Sequence, residues 1–496
     1  MSSRQRDVGH RVSGREIAFL TLERFEKSRR PADELLQEVL ACHSADGRET
    51  GLAFSLVQGV LRRRGFLDAV LDGFSTVPAS RMQRQVLLAL RLALFQILFL
   101  DRVPDHAAIN ESILLLQRSR QPRRVTGFVN GVLRAVCRAR DTGAFPPAMA
   151  AHQFHSHPRW LYDRYLARYG QETAGRLCES NNTPPELHLA VDPRHRDGLR
   201  DRLLADHIAA AAGSYCADSL ILHEFSGSPT LLPGFAEGWF HIQDQGAQLI
   251  PHLATGSPAG PVLDGCAGLG GKSIGLARLL PDRPVTALEP HRGRFALLGD
   301  NLARTRTAGR ITPVHGRLQE FAAGHQGPPF QAILLDVPCS GLGVVRRHPE
   351  IRWLRQEADL AAQQAAQLQL LLAAVPLLAA RGVLVYATCS TEPEENEEVV
   401  RLFLARHPEF RIDDARPHLP ESARSLVDAA GCLRTRPDLG ECDGFFAVRL
   451  SRDIPSPGHR HHWHQNINAI PITYQTNPSC GVLSQAVFPC LQALRL

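Results

Sequence analysis

Apolar residues recur at three- and four-residue spacing through Ala18–Phe25, Leu52–Leu61, Val86–Leu100, Ala107–Leu116 and Phe128–Val136, the period of helices that bury one stripe. This predicts an all-α bundle over residues 1–145. Gly143–Pro147 and the polar stretch around His152, His155 and His157 read as a linker, and Trp160–Tyr169 restarts a helix. Over residues 155–250 short helical patterns mix with strand-like Leu187–Val191 and Trp239–Ile242, interrupted by proline and glycine, which predicts a small α+β subdomain. Beyond Gly256–Gly260 the order becomes apolar strand, glycine loop, helix, strand, the alternation of a doubly wound, Rossmann-like α/β sheet over residues 251–450. Its strands are predicted at Val262–Asp264, Val285–Glu289, Ala332–Asp336 and Val383–Thr388. Ala358–Ala380 reads as a long crossover helix, kinked by Pro376 and closed by Gly382. Residues 451–496 resist assignment, and His459, His461, His462 and His464 within them read as exposed imidazoles.

A length of 496 residues is too great for one compact core, and 44% hydrophobic with 21% charged residues is a globular composition. The nearest approach to a membrane span, Val86–Leu100, is short and interrupted by Arg91 and Gln96, and Ile17–Leu22 is too short for a signal-peptide core. A cytoplasmic protein with no membrane partner is expected. The eleven cysteines are odd in number and contain no CxxC pair, so neither a disulfide framework nor a structural zinc cluster is supported, and no metal is expected. The net charge of +6 is mild, but its distribution is uneven: residues 1–150 carry 23 basic against 15 acidic side chains. Arg118, Arg120, Arg123, Arg124, Arg134, Arg138 and Arg140 follow one another with no acid between them, a stripe suited to nucleic-acid phosphates or, alternatively, a solvated helix face.

Chemistry concentrates in the third region. Val262-Leu-Asp-Gly-Cys-Ala-Gly-Leu-Gly-Gly-Lys-Ser273 sets Gly265, Gly268, Gly270 and Gly271 between a strand and a helix, a turn that lets a cofactor approach the backbone. A phosphate loop would need glycine where Cys266 stands, so a nucleotide-triphosphatase is excluded. Glu289 ends the next strand, where an acid accepts ribose hydroxyls; a dinucleotide and S-adenosylmethionine share that ribose, and the glycines alone do not separate them. Leu334-Leu-Asp-Val-Pro-Cys-Ser340 and Val385-Tyr-Ala-Thr-Cys-Ser390 then place Cys339 and Cys389 just beyond two parallel strands, facing one crevice. Single cysteines are usually buried hydrophobes, but a matched pair beside a cofactor loop favours chemistry. An NAD-linked oxidoreductase leaves both thiols without a role. Cytosine C5 methylation uses them: C5 becomes nucleophilic only when a thiolate adds to C6, and a second thiol can assist release.

These motifs resemble the NOL/NOP/Sun family of RNA cytosine-5 methyltransferases over residues 10–450. The resemblance extends to Val103-Pro104, Ala107–Glu111 and Phe128–Arg134 of the family's NusB-like RNA-binding domain, and to His157–Leu161, Gln243–Ala247, Arg346–Trp353, Pro393-Glu394-Glu395-Asn396 and Asp443–Phe446. It implies a multidomain fold: a NusB-like bundle (1–145), an α+β RNA-binding subdomain (155–250), a methyltransferase domain (251–450) and an unassigned tail (451–496). It implies an S-adenosyl-L-methionine-dependent enzyme acting on 16S rRNA in the unassembled or partly assembled small subunit, at cytosine 967. Cys389 would be the nucleophile and Cys339 would aid product release. Cys266, Ala267, Gly268, Leu269, Gly270, Gly271 and Lys272 would wrap the methionine part of the cofactor, Glu289 would hold its ribose, and Asp336 would lie beside cofactor and base. Arg346, Arg347 and Arg352 would extend an RNA track or stand as exposed cations. The chain departs from the family pattern at Gly268-Leu269, where Ala-Pro is common, at His315, where an acid faces adenine, and at Val337. Two alternatives stand beside this reading: a cytosine-5 methyltransferase for another rRNA or a tRNA site, and a non-catalytic RNA-binding ribosome-assembly factor.

Overall fold

The computed structural model describes residues 12–225 and 227–452, so the four tail histidines and the stretch that holds them lie outside the described residues. By internal contacts the chain forms two units. One runs to Thr183 and includes Val345–Leu354; the other comprises Pro184–Val344 and continues from Arg355.

In the first unit, six helices form a bundle: α1 (Gly14–Ser28), α2 (Ala32–Cys42), α3 (Gly47–Phe74), α4 (Arg84–Phe99), α5 (Asp105–Arg118) and α6 (Arg123–Asp141). The Ser13 hydroxyl caps α1 by accepting from the Glu16 N–H, and the Asp46 carboxylate caps α3 through the Glu49 N–H. α4 runs through the middle of the bundle, with Leu88, Leu90, Leu92 and Leu94 all buried. Arg91 is buried on that helix because Asp68 takes its guanidinium in two 2.7 Å hydrogen bonds and Glu26 a third.

The segment expected as a linker is instead packed structure. Ala151–Phe154 forms a short helix (α7), and α8 (Arg159–Asn182) follows, broken at Gly170, whose φ of 76° suits glycine. His157 is buried, and burial holds it neutral, well below the ordinary histidine range. Arg352 is fully buried too: its guanidinium donates to the carbonyls of Ser156 and Asn181 and to Asn182 Oδ1, at 2.8–3.0 Å. Arg346 is also buried, its carbonyl accepting from Arg62, while Arg347 is half-buried. The expectation that Arg346 and Arg352 extend an RNA track or stand as exposed cations is therefore wrong. They belong to a segment that Trp353 anchors by donating from its indole N–H to the Leu61 carbonyl at 2.7 Å.

The second unit holds two sheets. A four-stranded antiparallel sheet joins β1 (Leu187–Val191), β2 (Ala210–Ala212), β3 (Ser219–Leu222) and β4 (Phe240–Ile242) in the order β2-β3-β1-β4. The eight-stranded sheet contains β5 (Val262–Asp264), β6 (Val285–Glu289), β7 (Ile311–His315), β8 (Phe330–Asp336), β9 (Leu378–Thr388), β10 (Phe410–Asp413), β11 (Leu433–Arg434) and β12 (Phe446–Arg452). Its order is β10-β12-β9-β8-β5-β6-β7, with β11 beside β12. β5 to β9 are mutually parallel, and β12, which pairs antiparallel with both β9 and β10, makes the sheet mixed. The chain moves from β5 outward to β7 and then returns to β8 on the other side of β5, so the reversal falls between β5 and β8. In open α/β sheets ligands bind at the carboxyl ends of the strands at this point.

The crossover helix is shorter than its composition predicts. It spans Asp359–Ala374, Pro376 lies in a 3-10 turn, and β9 has begun by Leu378. Gly382 does not close the helix; it lies in an irregular start of β9, where the register against β8 shifts between Phe330 and Ala332. The stretch Asp359–Leu377 is long and apolar enough to cross a membrane by length and composition, unlike Val86–Leu100. In the fold it buries Leu360, Leu368, Leu371 and Ala374, together with the hydrogen-bonded Gln367.

Candidate active site

Three loops meet the carboxyl ends of β5, β8 and β9. The first follows β5. Gly268 (φ 57°) and Gly270 (φ 90°) adopt left-handed backbone, and a Cβ on Gly270 would lie 2.6 Å from Leu298, so that loop–helix approach requires glycine. A Cβ on Gly268 would meet nothing, because this turn faces open space. The helix Gly271–Leu279 that follows has no side-chain cap, which leaves its first N–H groups available to an anionic group. Leu269 is 48% exposed at the tip, its carbonyl held by Asn301 Nδ2 at 3.0 Å.

Asp264, fully buried at the end of β5, braces this loop by accepting from Ser273 Oγ at 2.6 Å and the Cys266 N–H at 3.3 Å. Burial pushes its carboxyl up to about 6, against the opposing pull of those hydrogen bonds. Burial likewise drives the Cys266 thiol well above its usual range, and the carboxylates of Asp264, Asp336 and Glu289 add to the effect. Glu289 at the end of β6 is buried, with Oε1 accepting from the His291 N–H at 2.7 Å and facing Arg294 Nε at 3.3 Å. His315 pairs with Glu289 across β6 and β7; its exposed ring meets Phe295 edge-on, with centroids 5.3 Å apart.

The other two loops carry the cysteines. β8 and β9 are neighbours, with Asp336 opposite Ala387 and the Val337 N–H donating to the Ala387 carbonyl. This brings Cys339 Sγ to 3.3 Å from Cys389 Sγ, both thiols half-buried. The Cys389 contact and burial together hold the Cys339 proton well above the ordinary thiol range, with Glu395 adding to both. Lys272, the second residue of the glycine-loop helix, reaches across to Asp336 with Nζ 2.5 Å from Oδ2. Burial would lower the pKa of this lysine, but the Asp336 carboxylate outweighs it and raises it, and Cys389 contributes in the same direction. The charge of Lys272 therefore bears on both Asp336 and Cys389.

One carboxylate that the sequence reading left without a role ties the cysteine loops together. Glu395 is fully buried and accepts four side-chain or backbone donors from Ser340, Ser390 and Gln367. Its motif, Pro-Glu-Glu-Asn, was visible in the sequence, but nothing local showed that donors from three elements would converge on it. Asn396 adds a brace within one loop, accepting from Thr388 Oγ1 at 2.6 Å and donating to the Ser390 carbonyl at 2.9 Å. Among the described residues no group of histidine, cysteine and carboxylate side chains could hold a metal ion.

Comparison with known proteins agrees with this architecture. Residues 255–451 match the 16S rRNA methyltransferase RsmB/F family, residues 13–138 the NusB family, and residues 157–227 the ferredoxin-like domain of RsmF/B-like methyltransferases. The chain is 32% identical over 453 residues to the probable ribosomal RNA small subunit methyltransferase B of Bacillus subtilis, covering 89% of this chain and 99% of that one. It is 36% identical to ribosomal RNA small subunit methyltransferase B of Pseudomonas putida, over 83% of this chain and 93% of the relative. The crystal structure of PH0851 shares the fold, with a TM-score of 0.73 at 21% identity over 89% of this chain and 99% of that one. A methyltransferase homolog from Pyrococcus horikoshii aligns over 61% of this chain and 97% of its own, with a TM-score of 0.51 and 25% identity. By family matches that span its domains and relatives that align along most of its length, this chain belongs to the RsmB/F family of small-subunit ribosomal RNA methyltransferases.

Proposed function

We propose that the protein methylates C5 of a cytosine in 16S rRNA, of the RsmB type and at cytosine 967, through a transient bond between Cys389 Sγ and C6 of the base. The observation that carries this reading is the pair of thiols 3.3 Å apart at adjacent strand ends, beside the Lys272–Asp336 ion pair and the open glycine loop. Cysteine chemistry of this kind needs a thiolate, and a nearby ammonium favours one. Lys272 interacts electrostatically with Cys389, whereas Cys339 is held protonated and is suited to proton exchange during release.

The glycine loop fits S-adenosyl-L-methionine. Left-handed glycines open the backbone at Gly268, uncapped N–H groups at Gly271 suit a carboxylate, and the buried Glu289 carboxylate suits two ribose hydroxyls. Cys266, Ala267, Gly268, Leu269, Gly270, Gly271 and Lys272 would surround its methionine portion, with Asp336 beside the reacting base. When bound, that cofactor supplies an electrophilic methyl group on a sulfonium. Cys389 adds to C6, which makes C5 nucleophilic; once C5 carries the methyl group, its proton leaves and the Cys389–C6 bond breaks, with Cys339 placed to assist.

A cytosine inside a duplex is out of reach of a thiol at a strand end, so the target base must be unpaired or flipped out. Arg123, Arg124 and Arg138 on α6 are exposed with no carboxylate partner among the described residues, which suits phosphate contacts in the unassembled or partly assembled subunit. Arg140 is committed instead to Asp105 through two hydrogen bonds, and Arg118 to Glu16.

The test is incubation with labelled S-adenosylmethionine and unmodified small-subunit rRNA, followed by mapping of modified cytosines. Label at C5 of one cytosine supports the reading, label at another cytosine changes the target, and intact RNA binding without transfer favours an assembly factor.

A further inference from the structure

The thiol pair has its separation fixed from behind. Ser340 follows Cys339 and Ser390 follows Cys389, and both serine hydroxyls donate to the same oxygen, Glu395 Oε2, at 2.5 Å. The two hydroxyls lie 3.2 Å apart. The other oxygen, Oε1, accepts from the Ser340 N–H at 2.7 Å and from Gln367 Nε2 at 3.0 Å. Glu395 is in turn held through its own carbonyl, which accepts from Tyr386 Oη at 2.5 Å, and Gln367 also donates to the Pro338 carbonyl. One buried carboxylate thus joins the residue after each cysteine to the crossover helix and to β9.

We propose that Glu395 is the positioning residue that sets the distance between the two thiols, and thereby the partition between forming and resolving the Cys389 bond to RNA. The second half of this inference rests on the covalent reading above; the first does not. The site presents two pairs of donors to a group with two acceptor oxygens. Each serine oxygen already accepts a backbone N–H, from Leu342 at 3.3 Å and from Glu392 at 3.1 Å. A glutamine in place of Glu395 has one oxygen for two pairs of donors, so either its amide faces the Ser340 N–H and Gln367, or both serine hydroxyls lose their acceptor.

The experiment compares wild type with Glu395→Gln and, as milder variants that each remove one strut, Ser340→Ala and Ser390→Ala. Disulfide closure between Cys339 and Cys389 is timed by mass spectrometry after adding diamide, which takes up the two electrons and two protons released. This reading needs neither RNA nor turnover. Closure in Glu395→Gln is expected to slow by about tenfold or more, and in each serine variant by less, since small misplacements cost orders of magnitude in rate. Methyl transfer should then show kcat reduced by up to about a hundredfold with KM for S-adenosylmethionine unchanged, and denaturing gels should show accumulated RNA adduct. A residue that only supports the fold would lower adduct, cofactor binding and turnover together.

Closure at the wild-type rate in both serine variants, or in a folded Glu395→Gln, overturns the proposal. Slowed closure with unchanged partition between adduct and product overturns its catalytic half. If Cys389→Ala retains activity, the covalent reading fails, and the closure rates still decide whether Glu395 sets the separation.

Discussion

Cys266 and Cys389 occupy equivalent places, each just past the carboxyl end of a parallel strand in one sheet and each half-buried, yet their surroundings are opposite. Cys266 is pushed well above the thiol range by burial and by the carboxylates of Asp264, Asp336 and Glu289. Cys389 faces the ammonium of Lys272 and a thiol 3.3 Å away. Position at a strand end alone thus does not set a thiol's surroundings. Burial first and the surrounding carboxylates second raise the Cys266 thiol, and Asp336 matters to both sites because it adds to the field around Cys266 while pairing Lys272.

The widest separation between the two should appear in turnover. Cys389→Ala is expected to lose methyl transfer by roughly 10³-fold or more, while Cys266→Ala stays within a few-fold of wild type because its thiol does no chemistry. Single-turnover transfer from labelled S-adenosylmethionine measures both, and equal losses would break the contrast. Cys339→Ala belongs on the same gels: addition still occurs, so an RNA adduct should accumulate.

The next effect isolates the charge. Lys272→Met removes the only ammonium in the second unit and should slow alkylation of Cys389 at neutral pH. Cys266 should remain unlabelled in the folded protein under the same conditions. Rapid labelling of Cys266 with a small alkylating agent, or an unchanged Cys389 rate in Lys272→Met, would show that exposure rather than charge separates the two.

How much of this was legible in the sequence depends on whether a residue's partners are local. The strands Val262–Asp264 and Val285–Glu289 were read with their observed bounds, because short apolar runs bounded by glycine and proline carry their own signal. Cys339 and Cys389 were placed at strand ends for the same reason. Arg352 was misread because burial of an arginine depends on acceptors far away in the chain, Ser156, Asn181 and Asn182. His157 has the local pattern of a polar linker, yet its ring is packed within the same cluster, near Asn181 Nδ2 at 3.3 Å. The crossover helix was drawn too long because Leu377–Ala380 is apolar enough for helix or strand, and only pairing of Leu378 with Phe330 settles it. Glu395 stands in a legible Pro-Glu-Glu-Asn motif, but its four donors come from loops and a helix that the sequence does not bring together.

The smallest effect concerns Asp264, and it tests which cause of the raised Cys266 pKa is larger. Burial ranks ahead of the carboxylates, so Asp264→Asn should leave Cys266 unreactive even though one negative charge has gone. The same substitution has a stability signature. The Asp264 carboxyl titrates at about 6 in the fold against 3.8 when unfolded, so the folded state binds the extra proton between those values. Its contribution is therefore fully present below about pH 4 and is lost as pH rises through 6, an amount of roughly 2–3 kcal/mol. Denaturant unfolding of wild type and Asp264→Asn from pH 4 to 7 should show that difference as a slope present in the first and absent from the second. Parallel curves would mean that Ser273, which donates to this carboxylate at 2.6 Å, offsets burial and keeps Asp264 ionised throughout. Cys266 would then owe more of its inertness to charge than burial alone supplies.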